Sequence, residues 1–262
     1  MNNFYKDKQK IINWLDEYEV KSYTLIRDEK YGFVIDVSSN VDLSDKKLLN
    51  IPVKFNEVNG DFNCSDNQLT SLEFSPKTVS GGFYCGANKL TSLEFCPETV
   101  SGSFGCNKNR LTSLKSCPQT VGGGFHCDNN QLISLEFSPK TVGGSFFCNN
   151  NKLISLEFCS QKVDGNFYCS YNQLTSLEFC PQTVGGNFDL SDNQLTSFEF
   201  CPQVVNGGTF YCGKNPELKE IQKITNFKLI HLEHKKILIA KFSDKLENDL
   251  IDNSKRTPRI KI

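Results

Sequence analysis

From Gly60 onward the apolar positions of the chain recur every 21 residues. Gly60 opens GDFNCSDNQLTSLEFSPKTVS and Gly81 opens GGFYCGANKLTSLEFCPETVS. Units in the same frame begin at Gly102, Gly123, Gly144, Gly165 and Gly186, and a partial one at Gly208 follows a one-residue insertion. Such self-similarity marks a stacked array, in which each unit buries its apolar edge against its neighbours. Residues 39–59 fit the frame loosely, with Val41 at the Phe position, Leu43 at the Cys position and Lys46 at the Asn position. An atypical end unit is what an array needs where it meets a cap.

Strand alternation sends Phe83 and Cys85 one way and Tyr84 the other. Stacking units at the strand spacing of about 4.8 Å predicts a parallel sheet, with Phe62, Phe83, Phe104, Phe125, Phe146, Phe167, Phe188 and Phe210 as one buried spine. A second buried spine is expected through Phe74, Phe95, Phe137, Phe158, Phe179 and Phe200, with Ser116 as its gap. The rest of each unit is short and contains Pro, so the convex side is expected to be extended or a 3₁₀ turn. Asn67, Asn88, Asn109, Asn130, Asn151, Asn172, Asn193 and Asn215 share one register. A buried amide carries donors and an acceptor, and suits the backbone groups left over where a strand turns. The Gly pairs before each Phe are read as corners with positive φ. No helix or Lys-Ser pair follows them, which excludes a phosphate loop.

These units resemble leucine-rich repeats. The family's strand segment LxxLxLxxNxL appears as xxxFxCxxNxL, with Phe83, Cys85, Asn88 and Leu90 in one copy. NQLTSL (Asn67–Leu72, Asn172–Leu177) is similar to the short repeats of bacterial leucine-rich-repeat effectors. The Cys-and-Phe heads, GxFxCSxNxLTSLxxxPxxV as a whole, are similar to repeat proteins of phages and AT-rich bacteria. The resemblance implies a repeat solenoid with a parallel β-sheet on its concave side. It implies a phage or bacterial accessory protein or effector, cytoplasmic or delivered into a host cell. A fold of this kind does not by itself name a function.

Composition narrows the classes. A formal charge of −1 lacks the positive excess of a nucleic-acid binder, and no run reaches the roughly 18 apolar residues of a membrane span. No cofactor is implied. The twelve Cys fall in two registers: Cys64, Cys85, Cys106, Cys127, Cys148, Cys169 and Cys212, with Leu190 in the same row, and Cys96, Cys117, Cys159, Cys180 and Cys201, alternating with Ser75 and Ser138. Replacement by Leu in one row and Ser in the other suits buried free thiols, and no CxxC pair suggests a metal. A Cys–His nucleophile is excluded for His126 and Cys127, whose side chains alternate to opposite faces. His231 and His234 stand in HLEH, a spacing unlike HExxH. No catalytic residue emerges.

Function is expected where the repeats differ. The outward strand position runs Asn63, Tyr84, Gly105, His126, Phe147, Tyr168, Asp189, Tyr211 between rows of Gly, Ser, Asp, Asn and Thr. These rings are expected to stand as an open ridge, with Tyr171 widening it. A solvent-facing Phe147 would cost burial energy, and Tyr and Phe give much contact area at low entropy cost. The reading is a non-catalytic module that recognises a protein partner through the aromatic concave face, with Tyr84, His126, Phe147, Tyr168, Tyr171 and Tyr211 as contacts. The alternatives are a structural, self-assembling repeat protein and a secreted effector with an enzymatic activity of its own.

The ends complete the organisation. Residues 1–38 are expected to form an N-terminal cap, a helix with Ile11, Ile12, Leu15 and Tyr18 on one face and Trp14 beside them, then a strand pair. Residues 39–218 form the solenoid, and 219–262 a C-terminal cap and basic tail. Residues 39–212 carry 11 basic and 16 acidic side chains, a net of −5, whereas 213–262 carry 12 and 7, a net of +5.

Overall fold

The computed structural model describes residues 7–202, 204–206 and 209–215. The chain is a β-solenoid whose turns stack with one rung per 21-residue unit. It starts with helix α1 (Lys8–Glu17), capped by Asp7, whose carboxylate accepts the Gln9 and Lys10 N–H groups. An antiparallel pair follows, β1 (Tyr23–Asp28) and β2 (Gly32–Val37). The first rung contributes β3 (Val41–Asp42) and β4 (Phe55–Val58).

From there every rung gives one short strand to each of two parallel sheets. In the first, Val41 pairs with Phe62, and the register continues Phe62, Phe83, Phe104, Phe125, Phe146, Phe167, Phe188, Phe210. In the second, the short strands that end in Val align Val58, Val79, Val100, Val121, Val142, Val163, Val184 and Val205. The convex side is thus extended, and it is itself a hydrogen-bonded sheet. β2 pairs with β4, so the helix-and-hairpin start is continuous with this valine sheet.

Between the sheets the rungs contribute Phe, Cys, two Leu and Val, as in Phe83, Cys85, Leu90, Leu93 and Val100, all buried, with Leu190 and Phe198 replacing the Cys and the second Leu in the unit that opens at Gly186. The expected spine is present, with successive rings from Phe62 to Phe210 between 5.1 and 6.0 Å apart. Its lower end is closed: Phe55 stands edge-on to Phe62, and Trp14 of α1 stands edge-on to Phe55. Trp14 buries with Ile11 and Leu15, while Ile12 is only half-buried.

The second expected spine is not in the core. Phe95, Phe137, Phe158, Phe179 and Phe200 are 44% to 55% exposed, and Phe74 is partly buried. The two Leu of each unit already fill the interior. Each Phe instead occupies the third position of a tight turn, as in Leu72–Ser75, where the Ser75 N–H donates to the Leu72 carbonyl. There φ lies between 65° and 72°, which swings the ring outward.

The glycine corners also differ from expectation. Among the described residues Gly32 is the only glycine with positive φ. What the Gly column supplies is space between rungs: a Cβ on Gly102 would lie 2.6 Å from the Gly81 carbonyl carbon. The C-terminal cap, its strands and helix, His231, His234 and the basic tail lie outside the described residues.

Candidate functional site

Two hydrogen-bond ladders fix the sheet face on which the outward rings sit. The Asn88 amide donates to the carbonyls of Cys64, Cys85 and Gly86, and its oxygen accepts the Leu69 N–H at 2.9 Å. The same pattern repeats at Asn109, Asn130, Asn151, Asn172 and Asn193, which confirms the structural role read from the sequence. The second ladder escaped the sequence reading. Polar side chains two residues before the outward position accept the backbone N–H of the next rung: Asp61 from Gly82, Ser103 from Gly124, Ser145 from Asn166, Asn166 from Asn187, Asn187 from Thr209. The alternation of Asp, Ser and Asn with Gly in that column is the signal that could have revealed it.

On this frame the outward positions align as Asn63, Tyr84, Gly105, His126, Phe147, Tyr168, Asp189 and Tyr211. His126 stacks on Phe147 with ring centroids 4.5 Å apart, and Phe147 meets Tyr168 edge-on at 5.0 Å. Phe147 is therefore half-buried between two rings, not solvent-facing as expected. The rings also recline on the small-residue column. Tyr84 lies against Gly82, where a Cβ would collide with its hydroxyl end, and His126 lies against Gly124. The Tyr168 hydroxyl accepts the Asn187 side-chain amide at 3.2 Å. Gly105 interrupts the row, so Tyr84 stands apart from the trio. Beside Tyr84 is a shallow depression of ≈ 350 Å³ bounded by Asn63, Asn107 and Lys108.

Tyr171 and Tyr211 are 51% and 47% exposed, the most open of the six predicted residues. Tyr171 sits at a φ of 54°, and the Lys214 ammonium, ion-paired with Asp192, lies 5.9 Å from its ring centre. Burial lowers the His126 pKa from 6.5, against a smaller opposing effect of Asp128. The imidazole is accordingly neutral near pH 7, and the trio is an uncharged aromatic strip.

Burial holds the thiols protonated. All twelve are free; eleven are buried and Cys96 is partly buried. Burial pushes Cys64, Cys96 and Cys180 up to about 12, and Cys212 to about 11. A thiol at such a pKa is a poor nucleophile and a poor metal ligand. Three members of the second register, two Cys and one Ser, make the same hydrogen bond, whereas the buried Ser75 hydroxyl has no partner among the described residues. Cys96 and Cys180 donate to the carbonyls of Ser116 and Phe200 one rung on, as the Ser138 hydroxyl does to Phe158.

No protein-family model matches the chain, and no curated protein matches it. Among solved structures it is similar to YopM from Yersinia enterocolitica WA-314, at a TM-score of 0.33 and 14% sequence identity. That match covers 65% of this chain and 56% of the other, so the chain spans little more than half of YopM's length. No helix among the described residues is long and apolar enough to cross a membrane.

Proposed function

We propose that the protein is a non-catalytic binding module that recognises a protein partner through the outward face of its phenylalanine sheet. Tyr84, His126, Phe147, Tyr168, Tyr171 and Tyr211 are the contacts, and the protein works in a cytoplasm, its own or that of a host cell. The observation that carries this reading is the His126–Phe147–Tyr168 strip, three rings on consecutive rungs at 4.5 and 5.0 Å. Rings already ordered by their neighbours lose little entropy when a partner covers them, which is how preorganised aromatic anchors gain affinity. The two hydrogen-bond ladders tie together the rungs that carry the strip; Tyr171 widens it, and Tyr211 stands beyond Asp189 in the same column.

Crosslinking from the native cell tests the proposal. Wild type should retain one partner that a Tyr84→Ala, Tyr168→Ala double variant and a Phe147→Ala variant both lose, with circular dichroism unchanged. Equal recovery by all three proteins would discard this face as the site.

A further inference from the structure

A second row of phenylalanine rings, apart from the aromatic strip, stands exposed on the turns of the solenoid. Each ring stands at the third position of a tight turn with φ between 65° and 72°, from Phe74 to Phe200. Gly or Asn normally takes that position, and an L-residue there costs roughly 1–2 kcal/mol. The sequence places Phe there in six of seven turns and leaves five of the rings about half exposed. A bulky apolar residue held repeatedly in a strained, wet position calls for a function.

Charge runs alongside the rings. Glu73, Glu94, Glu136, Glu157, Glu178 and Glu199 each precede a Phe, and all six are exposed. Their backbone N–H groups are held by the Ser hydroxyl two residues earlier, as Ser71 holds Glu73 and Ser155 holds Glu157. At the third of the seven turns both features change together, to Lys115 and Ser116. The surface is thus a ladder of Glu–Phe pairs with one break.

The chain itself shows what such a pair accepts. Phe74, the one ring of the row that is partly buried, is met edge-on by Tyr31 at 5.6 Å. Tyr31 comes from the turn between β1 and β2, where the Asp28 carboxylate accepts the Lys30 and Tyr31 N–H groups and fixes both residues. The Lys30 ammonium lies 4.7 Å from the centre of the Tyr31 ring. Its pKa is raised first by contact with Tyr31, and further by the Asp28 and Glu73 carboxylates. A basic–aromatic dipeptide thus meets the first pair of the row, with the Tyr31 ring on Phe74 and the Lys30 cation over the Tyr31 ring.

We infer that the remaining Glu–Phe pairs, above all the unbroken run from Glu136–Phe137 to Glu199–Phe200, dock a segment of a protein partner rich in aromatic and basic residues, in the manner of Lys30–Tyr31. The acidic row gives cationic segments preference over anionic ones, and the rings supply the apolar contact. This surface does not depend on the aromatic strip for its partner.

Fluorescence polarisation on the full chain tests the inference, with labelled peptides of four Gly-Lys-Tyr, four Gly-Glu-Tyr or four Gly-Lys-Ser repeats. The Lys-Tyr peptide should bind about tenfold or more tighter than either control. Two variants copy the natural Lys115–Ser116 turn and should fold: Phe137→Ser, Phe158→Ser, Phe179→Ser, and Glu157→Lys, Glu178→Lys. Each should weaken the Lys-Tyr peptide by about tenfold with unchanged circular dichroism, while Tyr84→Ala, Tyr168→Ala should not. Equal affinity for the Glu-Tyr peptide, or binding that survives both variants, overturns the inference. So does a dimer that the triple Ser variant abolishes, which would make a second copy the occupant. Phe-dependent binding to phosphatidylserine vesicles would do the same, by assigning the row to a lipid surface.

Discussion

The side-chain oxygen of Asn109 accepts the Leu90 N–H at 3.0 Å, across 19 residues of chain and one rung of the solenoid. The same amide donates to the Cys85 and Cys106 carbonyls. One side chain thereby ties two rungs together where the strand has already ended.

Asn109→Ala leaves the buried Leu90 N–H without an acceptor and takes a donor from two buried carbonyls. The expected cost is about 2–4 kcal/mol, read as a lower urea midpoint at unchanged slope. A loss below about 0.5 kcal/mol would mean that water replaces the amide freely.

Two glycines separate close packing from backbone freedom. A Cβ on Gly102 would sit 2.6 Å from backbone of the rung below, whereas one on Gly213 meets nothing within 4 Å. Gly102→Ala should destabilise by about 1–3 kcal/mol, and Gly213→Ala by less than about 0.5 kcal/mol. Similar melting temperatures for the two variants would contradict the steric account.

The two phenylalanine rows should differ in what they contribute to stability. Phe125 is fully buried, so Phe125→Ala should cost about 3–5 kcal/mol. Phe137 is 44% exposed at a φ of 67°, and Phe137→Gly exchanges modest burial for relief of strain. Its stability should stay within about 1 kcal/mol of wild type. A loss as large as that of Phe125→Ala would return the second row to the core.

Alkaline pH should unfold the protein early. Cys64, Cys96 and Cys180 stay protonated up to about 12 in the folded chain, against an ordinary value of 9.0 that the unfolded chain regains. Their burial therefore stabilises the fold fully below about pH 9, and that contribution is lost as pH rises toward the folded values. Each such thiol contributes a slope of about 1.4 kcal/mol per pH unit in that window. Urea midpoints should fall steeply between about pH 9 and about pH 11; a flat profile would show the thiols to be solvated.

Much of the core was legible because a repeat reports its own structure. Residues that recur at one position in every unit face the same surroundings in every rung, so Phe83, Cys85, Leu90 and Asn88 could be assigned together. Phe147 was misread because strand alternation says which side of the sheet a ring leaves from, and not whether neighbouring rings then cover it.

The sequence by itself determined the rung length, the parallel stacking, the phenylalanine spine and the asparagine ladder, since each follows from period and from the need to pair buried polar groups. Only the tertiary structure decided which of two identical-looking phenylalanine rows is inside. That choice rests on the sign of φ at one turn residue and on how much volume the leucines leave, and neither is written in the spacing of Phe. The cover of Phe74 by Tyr31 is likewise tertiary, because it joins a cap and a repeat that share no pattern.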